Sequence, residues 1–223
     1  MLATLFKRPI TLLACAAAIA LGACSTNPAT GEQSFTAFMS PADEKRLGAE
    51  QHPKILEEFG GAYEDPELGA YVASLGTRMA ATSERPDLNF TFTILDSPVV
   101  NAFALPGGYV YVSRGLIALA NNEAELAGVL GHEIGHVTAR HSAERYSRSV
   151  LVNLGAGILG AVSGQRAVAD IASLGGGLYL RSYSRENEFE ADSLGLRYMT
   201  AAGYEPSAVA SFLASLGAQT ELE

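Results

Sequence analysis

The spacing of apolar positions changes several times along this chain, and each change marks an element. Leu126, Val129, Leu130, Ile134 and Val137 recur at helical spacing behind Asn122, a capping residue with Glu125 three positions on, so an amphipathic helix is predicted there. An earlier helix is predicted from Ser40, where "SPADEKRLGAE" offers a cap, a proline at the first helical position, and Asp43. "DPELGAYVASLGTRMA", Asp65 to Ala80, reads as another helix. "NFTFTIL", Asn89 to Leu95, and "YVYVS", Tyr109 to Ser113, alternate with period two and are predicted strands, joined by a turn-rich "DSPVVNAFALPGG". The last well-marked helix starts near Ser184 and stops at Gly203. Pro206 opens one more, which runs on without a stop signal and leaves room for a further C-terminal domain. The pattern is α+β, mainly α, with a small β-sheet next to the Asn122 helix.

Two apolar runs stand apart. Lys7 and Arg8 precede one from Ile10 to Ala23 that ends in "LGAC". It is shorter than the roughly 20 residues that cross a bilayer and reads as a signal peptide over residues 1–23. "LGAC" resembles the lipobox of bacterial lipoproteins, which implies a lipid anchor on Cys24, and Ser25 after it favours the outer membrane. Residues 24–39, broken by Pro28 and Gly31, are expected to be a flexible tether, with one folded domain over 40–223. The second run, "VLVNLGAGILGAVSG" from Val150, is interrupted by Gln165 and Arg166 before it could span a membrane. Residues 150–180 read either as glycine-loosened helix and loop, a mobile cover, or as a buried helix pair.

Composition narrows the chemistry. A chain of 223 residues with 48% hydrophobic content can bury one sizeable core. Cys15 leaves with the signal and Cys24 is committed to lipid, so a metal site must use His and carboxylate ligands. The formal charge is −9, and losing Lys7 and Arg8 takes it down by two to −11. So acidic a body excludes a phosphate-binding role on nucleic acid.

"GHEIGHVTARHSAER", Gly131 to Arg145, holds three of the four histidines. His132 and His136 are four apart, so on a helix both imidazoles can reach one ion. On the helical wheel Glu133 falls about 20° from the centre of the apolar stripe, which aims its carboxylate inward, while the two histidines lie on one flank. A solvated face would put Glu133 opposite the stripe. Buried, it needs a cation or a polar cavity. The metzincin pattern requires glycine at 139 and histidine at 142; Ala139 and Ser142 exclude it. On a continuous helix His141 would lie about 140° from His136 and is read as structural.

Catalytic zinc typically takes three protein ligands, so a third must come from downstream. "SRENEFEAD", Ser184 to Asp192, offers Glu186, Glu188 and Glu190. Glu188 and Asp192 share one helical face, Glu186 and Glu190 another. A ligand with a second carboxylate one turn on suits a metal site, the second orienting an imidazole. Acidic residues also gather in a first helical turn merely to suit the dipole.

"HEIGH", then "ENEFEAD" some fifty residues on, preceded by "NAFALPGGYVYVSRGL", resembles the CAAX prenyl protease/HtpX-like family of zinc metallopeptidases, in particular its soluble, membrane-tethered periplasmic members. The resemblance covers nearly the whole chain after Cys24. It implies a zincin-like domain with one Zn2+ per chain on His132, His136 and Glu188, Glu133 as catalytic base, and Asp192 behind a ligating histidine. The integral-membrane relatives carry extra spanning helices that this sequence lacks, so their prenylated substrates are not implied. Tyr183, Tyr198, Arg181 and Arg197 stay open as oxyanion partners.

"GGYVYV", Gly107 to Val112, is expected either as an internal strand or as an edge strand. In the second case Gly108, Tyr109, Val110 and Tyr111 would hold an extended peptide through backbone hydrogen bonds. Such binding tolerates varied side chains, which suits misfolded or unassembled polypeptides of the bacterial periplasm as substrates. The alternative is a chaperone-like assembly lipoprotein with a latent or structural zinc site.

Overall fold

The computed structural model describes residues 24–86, 88–163 and 182–220. Residues 1–23, expected as a signal peptide, and residues 164–181, most of the stretch expected as a cover, lie outside them. Among the described residues the helices are α1 (Pro41–Glu58), α2 (Pro66–Ala80), α3 (Arg114–Leu119), α4 (Glu123–Thr138), α5 (His141–Ser163), α6 (Arg185–Ala201) and α7 (Ser207–Thr220). The strands are β1 (Cys24–Thr26), β2 (Gln33–Phe35), β3 (Thr91–Leu95), β4 (Ala102–Leu105) and β5 (Tyr109–Ser113). None of the described helices is long and apolar enough to cross a membrane.

The predicted caps form. Ser40 and Asp43 make a reciprocal capping box with Pro41 in the first turn, and Asp65, Asn122 and Ser184 each accept a backbone N–H at the start of α2, α4 and α6. Each cap satisfies a donor that the first helical turn leaves without an intrahelical partner.

The central sheet runs β3-β5-β4, with β5 parallel to β3 and antiparallel to β4. Its alternating side chains feed two cores. Ile94, Ala104, Val110 and Val112 pack with Leu75 and Met79 of α2 and Leu126, Leu130 and Ile134 of α4. Leu95, Phe103, Leu105 and Tyr111 face the other way, against Ile55 of α1. The sheet is thus covered on both sides, and α4 lies buried along one of them.

Three expectations are corrected. The "AFAL" of the turn-rich connection is strand β4, at the edge of the sheet. β5 is the central strand, both of its edges are paired, and Val110 and Tyr111 are fully buried, so Gly108, Tyr109, Val110 and Tyr111 offer no edge to a peptide. Residues 24–35, expected within a tether, form the antiparallel hairpin β1-β2, with Cys24 opposite Phe35. Long-range contacts hold this N-terminal segment in place: Phe38 N–H donates to Ser147 Oγ at 3.2 Å, and Asn27 donates to Glu190 at 2.6 Å.

Candidate metal centre

Glycine brings the two site helices together. α4 and α6 cross where Gly131 and Gly135 of one meet Gly195 and Ala191 of the other, and a Cβ on Gly195 would stand 2.7 Å from the His132 backbone nitrogen. Only with that side chain absent does the start of α6 reach the histidines. His132 Nε2 and His136 Nε2 are 3.0 Å apart, and Glu188 Oε2 is 3.4 Å from the first and 3.9 Å from the second. Ligand atoms about 2.0–2.1 Å from a tetrahedral zinc stand about 3.3–3.4 Å from one another, so this triangle fits such an ion. The donor set, two imidazoles and a carboxylate, is the kind that binds one.

Electrostatics at the cluster reflect burial and crowding. Burial works against protonation of His132, but Glu188, Glu133 and Asp192 outweigh it and raise the pKa to about 9. His136, 3% exposed, is pushed the other way by burial and by the neighbouring His132, His141 and Arg145. It is therefore a neutral imidazole, with a lone pair available on one ring nitrogen. Burial raises the Glu133 carboxyl to about 7, with Glu188 adding to the effect and His132 opposing it. Asp192 Oδ1 lies 2.9 Å from His132 Nδ1 and accepts its N–H, so Nε2 is the nitrogen that would give up its proton to an incoming cation.

The surroundings sort the other sequence candidates. His141 is not on the α4 helix at all. α4 ends at Thr138, Arg140 adopts φ 62°, and His141 begins α5, with its Nδ1 turned back to within 2.8 Å of His136 Nδ1. Arg140 is held in that conformation by Glu44 Oε2, 3.1 Å from its Nε, and by the Met39 carbonyl at 2.8 Å. Glu186 stays solvent-exposed, while Glu190 turns to His141 and to Asn27. Tyr183 stacks on His136 with centroids 4.0 Å apart, and its hydroxyl is 2.8 Å from Ser142 Oγ. Tyr198 and Arg197 bind Glu84 instead, and Arg181 is outside the described residues.

A cleft of about 520 Å³ opens beside the cluster, lined by His132, Glu133, Glu188 and apolar side chains that include Val129, Val209 and Leu213. A second hollow joins Glu133 and His136 to Ala102 and Phe103 of β4. The sheet edge nearest the cluster is therefore β4.

A helix bearing His-Glu-x-x-His, a carboxylate from a second helix closing the triangle, and a small mixed sheet alongside define a zincin-like metallopeptidase. The chain belongs to peptidase family M48, whose sequence pattern matches residues 66–221. Members of that family are metal-dependent peptidases. The putative beta-barrel assembly-enhancing protease of Vibrio cholerae is 33% identical over 183 residues, which cover 78% of this chain and 38% of that protein. The beta-barrel assembly-enhancing protease of Escherichia coli (strain K12) is 32% identical over 187 residues, covering 80% and 38%. The mitochondrial metalloendopeptidase OMA1 of Schizosaccharomyces pombe is 37% identical over 173 residues, covering 74% and 49%. The aligned region spans less than half the length of each of these relatives.

Proposed function

We propose that this chain is a zinc-dependent endopeptidase of the bacterial envelope, with His132, His136 and Glu188 as ligands, Glu133 as general base and Asp192 orienting His132. The observation that carries the reading is the meeting of three ligand atoms from two helices, 3.0, 3.4 and 3.9 Å apart, beside a buried carboxyl whose pKa is about 7. His132, His136 and Glu188 would hold a divalent ion, which would supply a water of lowered pKa and polarisation of the scissile carbonyl. Glu133 then takes a proton from the attacking water and returns it to the leaving amine, and a carboxyl near neutral pKa is suited to both transfers. β4 would receive the substrate. In its antiparallel pairing with β5, the Ser113 N–H donates to the Asn101 carbonyl, so the half-buried Ala102, the alternate position, turns its backbone groups to the outer edge beside Glu133 and His136, whereas Ala104 further along is buried.

Recognition through the backbone suits unfolded or unassembled envelope proteins, and two of the relatives are named for enhancing β-barrel assembly. A lipid on Cys24, placing the enzyme at the periplasmic face of the outer membrane, agrees with the "LGAC" box. A chaperone-like role with a structural ion is not favoured, because structural zinc sites close with four protein ligands and the cluster among the described residues has three. Glu133→Gln tests the reading: zinc stays bound while cleavage of casein is lost. Casein cleavage at the parent rate would overturn it.

A further inference from the structure

Each histidine of the cluster has a carboxylate behind it, but by different routes. His132 reaches Asp192 directly. His136 Nδ1 meets another imidazole, His141 Nδ1, at 2.8 Å; His141 Nε2 lies 3.1 Å from Glu190 Oε2; and Glu190 Oε1 accepts from Asn27 Nδ2 at 2.6 Å. Only one assignment of protons lets His136 Nε2 face the cluster with a lone pair. His136 carries its proton on Nδ1 and donates it to His141, which carries its own on Nε2 and donates that to Glu190. The reverse tautomer of His141 would set two N–H groups against each other at 2.8 Å. Asn27 fixes the far end, because its Oδ1 already accepts from the Ala29 N–H at 2.9 Å and the amide cannot turn over without losing that bond. His141 and Asn27 are 1% and 5% exposed, so water does not substitute freely along the path.

We propose that His141, Glu190 and Asn27 are positioning residues for His136, acting in series, and that the N-terminal hairpin beginning at Cys24 is thereby part of the metal-binding unit. The proposal rests on the reading of His132, His136 and Glu188 as ligands. In this arrangement Glu190→Gln presents one acceptor to two donors, so that either His141 or Asn27 meets an N–H in place of an oxygen. Asn27→Ala frees the carboxylate to swing away from His141.

The test is made on the full chain, stripped of metal and titrated with Zn2+ against a chelator, and with Co2+ to read the visible absorption of the bound ion. Loss of such outer partners typically weakens a site about 10–100-fold. Glu190→Gln and His141→Ala are each expected to weaken Zn2+ binding about 10-fold and to shift the Co2+ spectrum, with Asn27→Ala weakening it less. Because the groups act in series, the His141→Ala/Glu190→Gln double variant should lose no more than its weaker-binding parent variant. Combining Glu190→Gln with Asp192→Asn, which acts on His132, should multiply the losses. Glu186→Gln, an exposed carboxylate on the same helix, should leave affinity unchanged. Should His141→Ala not fold, Glu190→Gln, near-isosteric and partly exposed, decides alone. If the parent binds zinc and Glu190→Gln binds it within twofold with an unaltered Co2+ spectrum, the proposal is overturned while the ligand reading stands. If the parent binds none, both fall.

Discussion

Gly195→Ala puts the geometry of the helix crossing to the test. The new methyl would stand 2.7 Å from the His132 nitrogen, 2.9 Å from the Gly131 carbonyl carbon and 3.0 Å from the His132 Cα, where ordinary contact begins at 3.4 Å. All three are backbone atoms of α4, so no side chain can rotate aside, and α6 must retreat by about 0.7 Å, the shortfall at the closest of them. Overpacking of this kind costs about 1–3 kcal/mol, and rigid neighbours place this case near the top of that range. Alanine returns about 1 kcal/mol of helix propensity, which leaves a net loss of about 2 kcal/mol. For a chain of this size that lowers Tm by roughly 4–8 °C. Glu188 retreats with the helix, so Zn2+ affinity should fall as well. The control is Gly69→Ala in α2, where a Cβ meets nothing within 4 Å. There the same substitution should stabilise by about 0.5–1 kcal/mol. Calorimetry and chelator competition read both effects, and a Gly195→Ala protein as stable and as tight for zinc as the parent would refute the account of the crossing.

Arg140→Gly relieves a left-handed arginine but leaves the buried Glu44 carboxylate only Arg85, 3.5 Å away. It should cost about 2–4 kcal/mol in denaturant unfolding, and a neutral outcome would show that backbone strain outweighs the ion pair. The Ser40 hydrogen bonds hold the Asp43 carboxyl below its ordinary 3.8, so its contribution to stability is present above that pH and is lost as pH falls below it. Asp43→Asn should therefore lower Tm at pH 7 and make no difference under strongly acidic conditions; an equal loss at both would contradict the capping assignment. Ala102→Pro removes an outward N–H from β4, a change that edge strands tolerate, and should raise KM for casein while leaving Zn2+ affinity intact. An unchanged KM would move the peptide away from that edge.

What could be read from the sequence was local. The cap at Asn122, the apolar period of α4 and the inward aim of Glu133 depend on residues within one helix, and the structure reproduces each of them. What could not be read was set by distant partners. The break at Arg140 carries no glycine or proline; it is held by Glu44 and Met39, roughly a hundred positions upstream, and it converts His141 from a residue facing away into a partner of His136. Strand order has the same origin. "YVYVS" and "AFAL" are both short apolar runs, and only their pairing decides that the first is central and the second lies at the edge. The hairpin at Cys24 has strands of three residues, too short to announce themselves, and long-range contacts such as those of Asn27 and Phe38 hold it.

The central claim is that His132, His136 and Glu188 hold one divalent ion. Elemental analysis of the purified full chain, beside Glu188→Ala and His136→Ala, measures it most directly. The account predicts one zinc per parent chain and a marked loss in both variants, with caseinolysis lost on chelation and restored by Zn2+. A parent that hydrolyses casein with no metal bound, or variants that retain the ion in full, would contradict it.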